Sequence, residues 1–255
     1  MIASLQTQML FPTNMVGPPG PLPAGARYVQ TESADGTALH GVHIPARPGG
    51  DGTLVLGFGG NAWNGADVAA YLHELFPRAD VVAFHYRGYK PSPGSPSAKA
   101  LIADAPLVHD FAVELVKPRR VIAAGFSIGS GVAASLAARR RLDGLILVTP
   151  FDSLKAAAAD LYPWLPIGPF FEHEIDAAAF LEAADVPVVV LAAERDNLIR
   201  PTRTAALRSK LRNLVFDFTA PGAGHNDIYQ RRDFQRAMRE ALAALSSSDP
   251  MQKGR

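Results

Sequence analysis

Gly125-Phe-Ser127-Ile-Gly129 places a serine between two glycines, after the apolar run Val121 to Ala124 and before an alanine-rich stretch. A serine on a sharp strand-to-helix turn presents its hydroxyl clear of the backbone, at the positive end of the helix that follows. That is what an alkoxide nucleophile requires. With 22 glycines in the chain, the bare pattern is weak and also fits a glycine-rich turn with a bystander serine; the strand–turn–helix setting gives it weight. A serine nucleophile needs a base, and the base needs an orienting acid.

His225 lies on the glycine-rich loop Pro221-Gly-Ala-Gly-His225-Asn-Asp, behind the last apolar run. Asp196 follows the run Val188 to Ala193. Both therefore fall at the carboxyl ends of strands, where open α/β sheets assemble their sites. The other histidines carry weaker signals. His40 and His43 sit in an N-terminal hairpin, His85 at a strand end, and His73, His109 and His173 in helical or cap contexts. His40 and His43 also lack the further ligands of a metal site. For the acid, Asp152 after the preceding strand and Glu194 remain alternatives, and Asp227 reads as a helix cap.

The elements that must position these groups follow from the apolar pattern. Strands are expected at 27–33, 38–44, 53–57, 81–86, 120–125, 144–148, 186–192 and 214–218, with Asp35-Gly36 turning the first pair. Helical stretches are expected at 66–76, 98–116, 128–141, 202–211 and 228–245. Short apolar runs alternating with helices indicate buried parallel strands and crossover helices. The fold class is thus α/β: a mostly parallel eight-stranded sheet with helices on both faces. Residues 1–26 are expected as an extended Pro/Gly-rich arm, 27–245 as the domain and 246–255 as a flexible tail. Residues 153–184 exceed what a crossover needs, and read as a small cap over a pocket or as a packed surface loop.

Consecutive glycines in Leu56-Gly-Phe58-Gly59-Gly60-Asn61 let backbone approach a substrate oxygen. The expected oxyanion donors are the N–H groups of Ile128 and Asn61, with Gly60 as second choice. Gly60, Trp63, Arg87 and Trp164 are candidate pocket residues. Phe170 and Phe171 join Trp164 as a possible lid surface, and Arg87 with Lys90 could meet an acidic substrate group unless Arg87 is structural.

Composition sets limits. The chain of 255 residues is 48% hydrophobic and 19% charged, with a formal net charge of +1. That balance gives no footprint for nucleic acid. The absence of cysteine excludes a disulfide framework and a thiolate nucleophile. No apolar run reaches the ~18 residues of a membrane span. A cytoplasmic protein with no stable membrane insertion is expected; oligomeric state is not readable.

Together these motifs resemble the α/β-hydrolase superfamily, in particular serine hydrolases of the α/β-hydrolase-domain-containing and prolyl-oligopeptidase-like group. Phe58-Gly-Gly-Asn-Ala is similar to that group's H-G-N-A loop, and His85-Tyr-Arg-Gly-Tyr-Lys-Pro-Ser-Pro-Gly to its Y-R-G-Y-G-x-S-x-G. Gly125-Phe-Ser-Ile-Gly-Ser-Gly, Thr149-Pro-Phe, Glu194-Arg-Asp196 and Gly224-His-Asn-Asp complete a likeness running from about Met9 to Leu245. Two departures stand out: Gly59 replaces the usual histidine, and Lys90-Pro91 replaces the usual Gly-x. The resemblance implies an α/β-hydrolase fold and the order Ser127, Asp196, His225 for a catalytic triad. It also implies hydrolysis of a small to medium acyl ester or thioester through an acyl-enzyme, without cofactor or metal. A peptidase or aminopeptidase, or a non-catalytic binding scaffold, is the alternative.

Overall fold

The computed structural model describes residues 2–164, 168 and 171–247, with the side chains of residues 2–4 left aside. Its sheet has eight strands: β1 (Arg27–Glu32), β2 (Ala38–Ile44), β3 (Thr53–Phe58), β4 (Asp80–Phe84), β5 (Arg120–Phe126), β6 (Gly144–Val148), β7 (Val188–Ala193) and β8 (Leu214–Ala220). They are ordered β1-β2-β4-β3-β5-β6-β7-β8. β2 runs antiparallel to both its neighbours, and β4, β3, β5, β6, β7 and β8 are mutually parallel. The chain crosses from β3 to β4 on one side and to β5 on the other, so the strand order reverses beside β3. Sites in such sheets collect at this switch point.

Eight α-helices are described: α1 (Ile2–Leu10), α2 (Gly65–Leu75), α3 (Ala98–Val116), α4 (Ile128–Ala137), α5 (Leu154–Leu161), α6 (Ala177–Glu182), α7 (Pro201–Arg208) and α8 (Arg232–Ser247). Several begin where the side chains dictate. Asn64, Ser97, Ser153 and Asp176 each accept the N–H three residues on, and Pro201 opens α7.

Period-two alternation sends the inner parallel strands, β3 to β7, to two cores. Leu54, Leu56, Ala123, Leu145, Leu147 and Val190 face α3, α4, α5 and α6. Val55, Ile122, Ala124, Ile146, Val148 and Leu191 face α2 and α8. This double burial explains why β3, β5 and β6 are near-continuous apolar runs.

Two expectations are corrected. The arm expected as extended over residues 1–26 begins with α1, and a 3-10 turn follows at Thr13–Met15. A nine-residue helix is marginal alone; this one is held by docking, with Phe11 just beyond it 2% exposed. The helix expected at 228–245 is split into a 3-10 turn, Ile228–Gln230, and α8. In the 153–184 segment, α5 and α6 lie either side of the stretch containing Phe170, which is outside the described residues, as is 248–255 of the expected tail.

Candidate active site

Four strand ends converge. Ser127 sits directly beyond β5, at φ 52° and ψ −118°, a conformation L-residues rarely adopt and one that costs ~1–3 kcal/mol. Neighbouring glycines make the turn possible. A Cβ on Gly125 would fall 2.3 Å from the Gly129 carbonyl oxygen, and one on Gly129 2.1 Å from that of Phe58. The turn is tied to the next strand by Ser127 N–H donating to the Val148 carbonyl at 2.9 Å. Ser130 clamps it from the other side, its N–H and hydroxyl both donating to the Ser127 carbonyl.

His225, on the loop beyond β8, places Nε2 3.1 Å from Ser127 Oγ and Nδ1 2.7 Å from Asp196 Oδ2. The other oxygen of Asp196 accepts the N–H groups of Leu198 and Ile199 at 2.9 and 2.8 Å. Its carboxylate is therefore fully satisfied although only 7% exposed, and the imidazole beside it is held in one orientation. The remaining acids are engaged elsewhere. Asp152 pairs with Arg203 at 3.4 Å, and Glu194 accepts the Gly222 N–H at 2.6 Å. Asp227, expected as a helix cap, instead accepts the Gly224 N–H at 2.6 Å and braces the His225 loop.

The Gly59–Asn61 loop leaves β3 alongside the nucleophile, and a Cβ on Gly60 would lie 3.8 Å from that of Ser127. Two phenols fix this loop: Tyr86 donates to the Gly59 carbonyl at 2.9 Å and Tyr89 to the Asn61 carbonyl at 2.7 Å. With those carbonyls engaged, the Asn61 N–H has no acceptor among the described residues. The Ile128 N–H, first in α4, is one of the helix's unpaired donors. Gly59 lies close against α2: a Cβ there would meet Val68 Cγ2 at 2.8 Å. Neither the two tyrosines nor the fit of Gly59 to Val68 was legible before folding, since each depends on a partner from another element.

A cavity of about 380 Å³ opens over Ser127 and His225. Gly60, Asn61, Trp63 and Ile128 line it, with Phe151, Leu198, Ile199 and Tyr229. Trp63 packs on Phe126, Tyr71 and Tyr229, with ring centroids 5.2 to 5.4 Å apart. Two expected pocket residues lie elsewhere. Arg87 grips Asp104 with two hydrogen bonds, 2.9 and 2.6 Å, and reaches Asp35 at 2.6 Å; its planar fork ties the loop after β4 to α3 and to the β1–β2 turn. Trp164 is 70% exposed and contacts the Tyr162 ring instead of the cavity. Phe171 packs against the His173 ring at 6.5 Å.

His85 is structural. Its Nδ1 accepts the Gly65 N–H at the start of α2, and burial pushes its pKa down from the ordinary 6.5 to about 4. The folded protein therefore binds this proton less readily than the unfolded chain. The resulting stability is fully present above pH 6.5 and is lost as pH falls towards 4, by up to about 3 kcal/mol. Burial also pushes His73 and His173 down. Thermal denaturation between pH 7 and 4.5 should show a shallower acid decline in His85→Gln than in the wild type; parallel curves would refute the assignment.

These features are those of a hydrolase of the α/β class. The family described as alpha/beta hydrolase fold matches residues 54–173. An uncharacterised Mycobacterium tuberculosis protein is 36% identical over 211 residues, 81% of this chain and 74% of that one. The chain belongs to the α/β-hydrolase superfamily. A Danio rerio protein named lysophosphatidylserine lipase is 31% identical over 169 residues, 57% of this chain and 44% of its own length. A solved Pyrococcus furiosus esterase superposes with a TM-score of 0.69 at 18% identity, covering 91% of this chain and 98% of that one. Among the described residues, no helix is long and apolar enough to cross a membrane.

Proposed function

We propose that the chain is a serine hydrolase that cleaves a carboxylic ester or thioester of a small to medium acyl substrate through an acyl-enzyme. One observation carries this reading: Ser127, His225 and Asp196 form an unbroken hydrogen-bond chain at the floor of an apolar cavity. In the proposed reaction, Ser127 Oγ attacks the acyl carbon as its proton passes to His225 Nε2. Asp196 holds the tautomer with Nδ1 protonated and stabilises the imidazolium. The N–H groups of Asn61 and Ile128 receive the oxyanion, and His225 then protonates the leaving alcohol or thiol. Water repeats the sequence on the acyl-enzyme, releasing the acid and restoring the serine.

Ester is preferred over peptide because none of the described cavity-lining residues is acidic, which leaves an aminopeptidase without a carboxylate for its substrate's ammonium group. The names of the Danio rerio and Pyrococcus furiosus proteins are consistent with acyl-ester chemistry. The test is turnover of p-nitrophenyl esters, acyl thioesters and aminoacyl p-nitroanilides by the wild type. Esters or thioesters should turn over, and the anilides should not. Anilide hydrolysis alone would move the assignment to a peptidase; no turnover of any of the three, with the protein folded, would favour a binding scaffold.

A further inference from the structure

The family match begins at residue 54, yet the cavity over Ser127 is lined in part by Met9 and Leu10 of α1. Across from the catalytic floor, α5 contributes Leu154, Ala157, Ala158 and Leu161. We infer that α1 is a wall of the acyl-binding site, and that Met9 with Leu10 sets the length of an uncharged aliphatic acyl chain bound between α1 and α5. This deepens the hydrolase reading above and rests on it for the identity of the bound group.

The segment is built into the domain at both ends. On the cap side, the Gln6 side-chain oxygen accepts the Glu172 N–H at 3.2 Å, and Thr7 Oγ1 lies 2.8 Å from His173 Nε2. Phe11 meets the His173 ring edge-on at 5.3 Å. On the α2 side, Asn64 donates to the Gly17 carbonyl at 3.3 Å, and the Gly20 N–H donates to Asp67 at 2.8 Å. Asn64 lies three residues beyond Asn61. The chain therefore spans from the cap to the element following the oxyanion loop, and Met9 and Leu10 lie between those anchors.

The chemistry of the lining selects the ligand. Among the described residues around the cavity there is no Asp, Glu, Lys or Arg. A charged group within it would lose hydration without gaining a partner, whereas methylenes gain about 0.8 kcal/mol each on burial. Ala157 and Ala158, 3% and 4% exposed, leave space on the α5 side that larger residues would fill. Met9, unbranched and adaptable, closes the opposite side.

The experiment compares kcat/KM for p-nitrophenyl acetate, butyrate, octanoate and palmitate in wild type, Met9→Trp, Met9→Ala and Ala158→Leu. The control is Leu5→Ala, on the same helix but 45% exposed and outside the lining. Met9→Trp and Ala158→Leu should each lower the octanoate-to-acetate ratio about tenfold, Met9→Ala should move the optimum to longer chains, and Leu5→Ala should keep the wild-type ratio. An unchanged ratio in all three lining variants, each folded, would overturn the proposal. A second readout is independent of turnover. In a Trp164→Phe background, Trp63 is the sole tryptophan and lies in the cavity. 1-Decanol, an uncharged aliphatic chain, should change its fluorescence saturably, and Met9→Trp being unsuitable here, Ala158→Leu should weaken that binding about tenfold. If no ester turns over but 1-decanol binds in this way, the hydrolase reading fails and the acyl site stands. If esters turn over but neither ratio nor binding responds, the acyl-site assignment fails alone.

Discussion

Ser127→Ala is expected to lower ester turnover by ~10⁴-fold or more, the loss that follows when the nucleophile of a triad is removed, and to leave the thermal midpoint near that of the wild type. The two halves of this result have separate causes. The proposed acyl-enzyme route has no other nucleophile at this position. Stability survives because alanine keeps the Cβ and the same backbone, while the lost hydroxyl had His225 as its partner at 3.1 Å, at a half-buried position facing the cavity. A fluorophosphonate probe should label the wild type and fail to label the variant. Turnover within tenfold of wild type, or undiminished labelling, would show that Ser127 is not the nucleophile.

Gly129→Ala is the harsher change, and it acts on fold and site together. The added methyl would sit 2.1 Å from the Phe58 carbonyl oxygen and 2.6 Å from that of Gly59. Both obstacles are backbone, so no rotamer change relieves them; the end of β3 and the elbow must separate. Overpacking of this kind costs about 3 kcal/mol or more, a fall in melting temperature of ~6–12 °C for a domain this size. Any protein that folds should also lose ~10²-fold in kcat, because the displaced segment carries Asn61, the proposed oxyanion donor. Gly17→Ala is the matched control, since nothing lies within 4 Å of its added Cβ. A Gly129→Ala protein as stable and active as that control would contradict the close approach of β3 and the elbow.

The sheet was legible because its strands are buried on two faces, and an apolar run such as Leu145 to Val148 has no other soluble use. Ser127, Asp196 and His225 were legible for a related reason: each stands where an apolar run gives way to a turn, so chain position already implied a common end of the sheet. Residues whose meaning depends on a distant partner were not. Arg87 reads as a cation near a pocket until Asp104, seventeen residues on, takes its guanidinium. Asp152 reads as an alternative to Asp196 until Arg203 takes its carboxylate. Helix α1 gave little local signal, because nine residues with polar positions are held by contacts with the distant Glu172 and His173.

The order in which the three groups occur along the chain has a consequence during synthesis. A growing polypeptide completes the Ser127 elbow, with β3 through β6 beside it, long before His225 leaves the ribosome. Until β8 and its loop dock, and α8 covers the face of β6, β7 and β8, the proposed nucleophile lacks its proposed base, and Ser127 would remain an ordinary alcohol. Reactivity is then the last property the nascent protein acquires. An acyl donor or organophosphate met by a half-made chain would find no activated serine to acylate or phosphorylate.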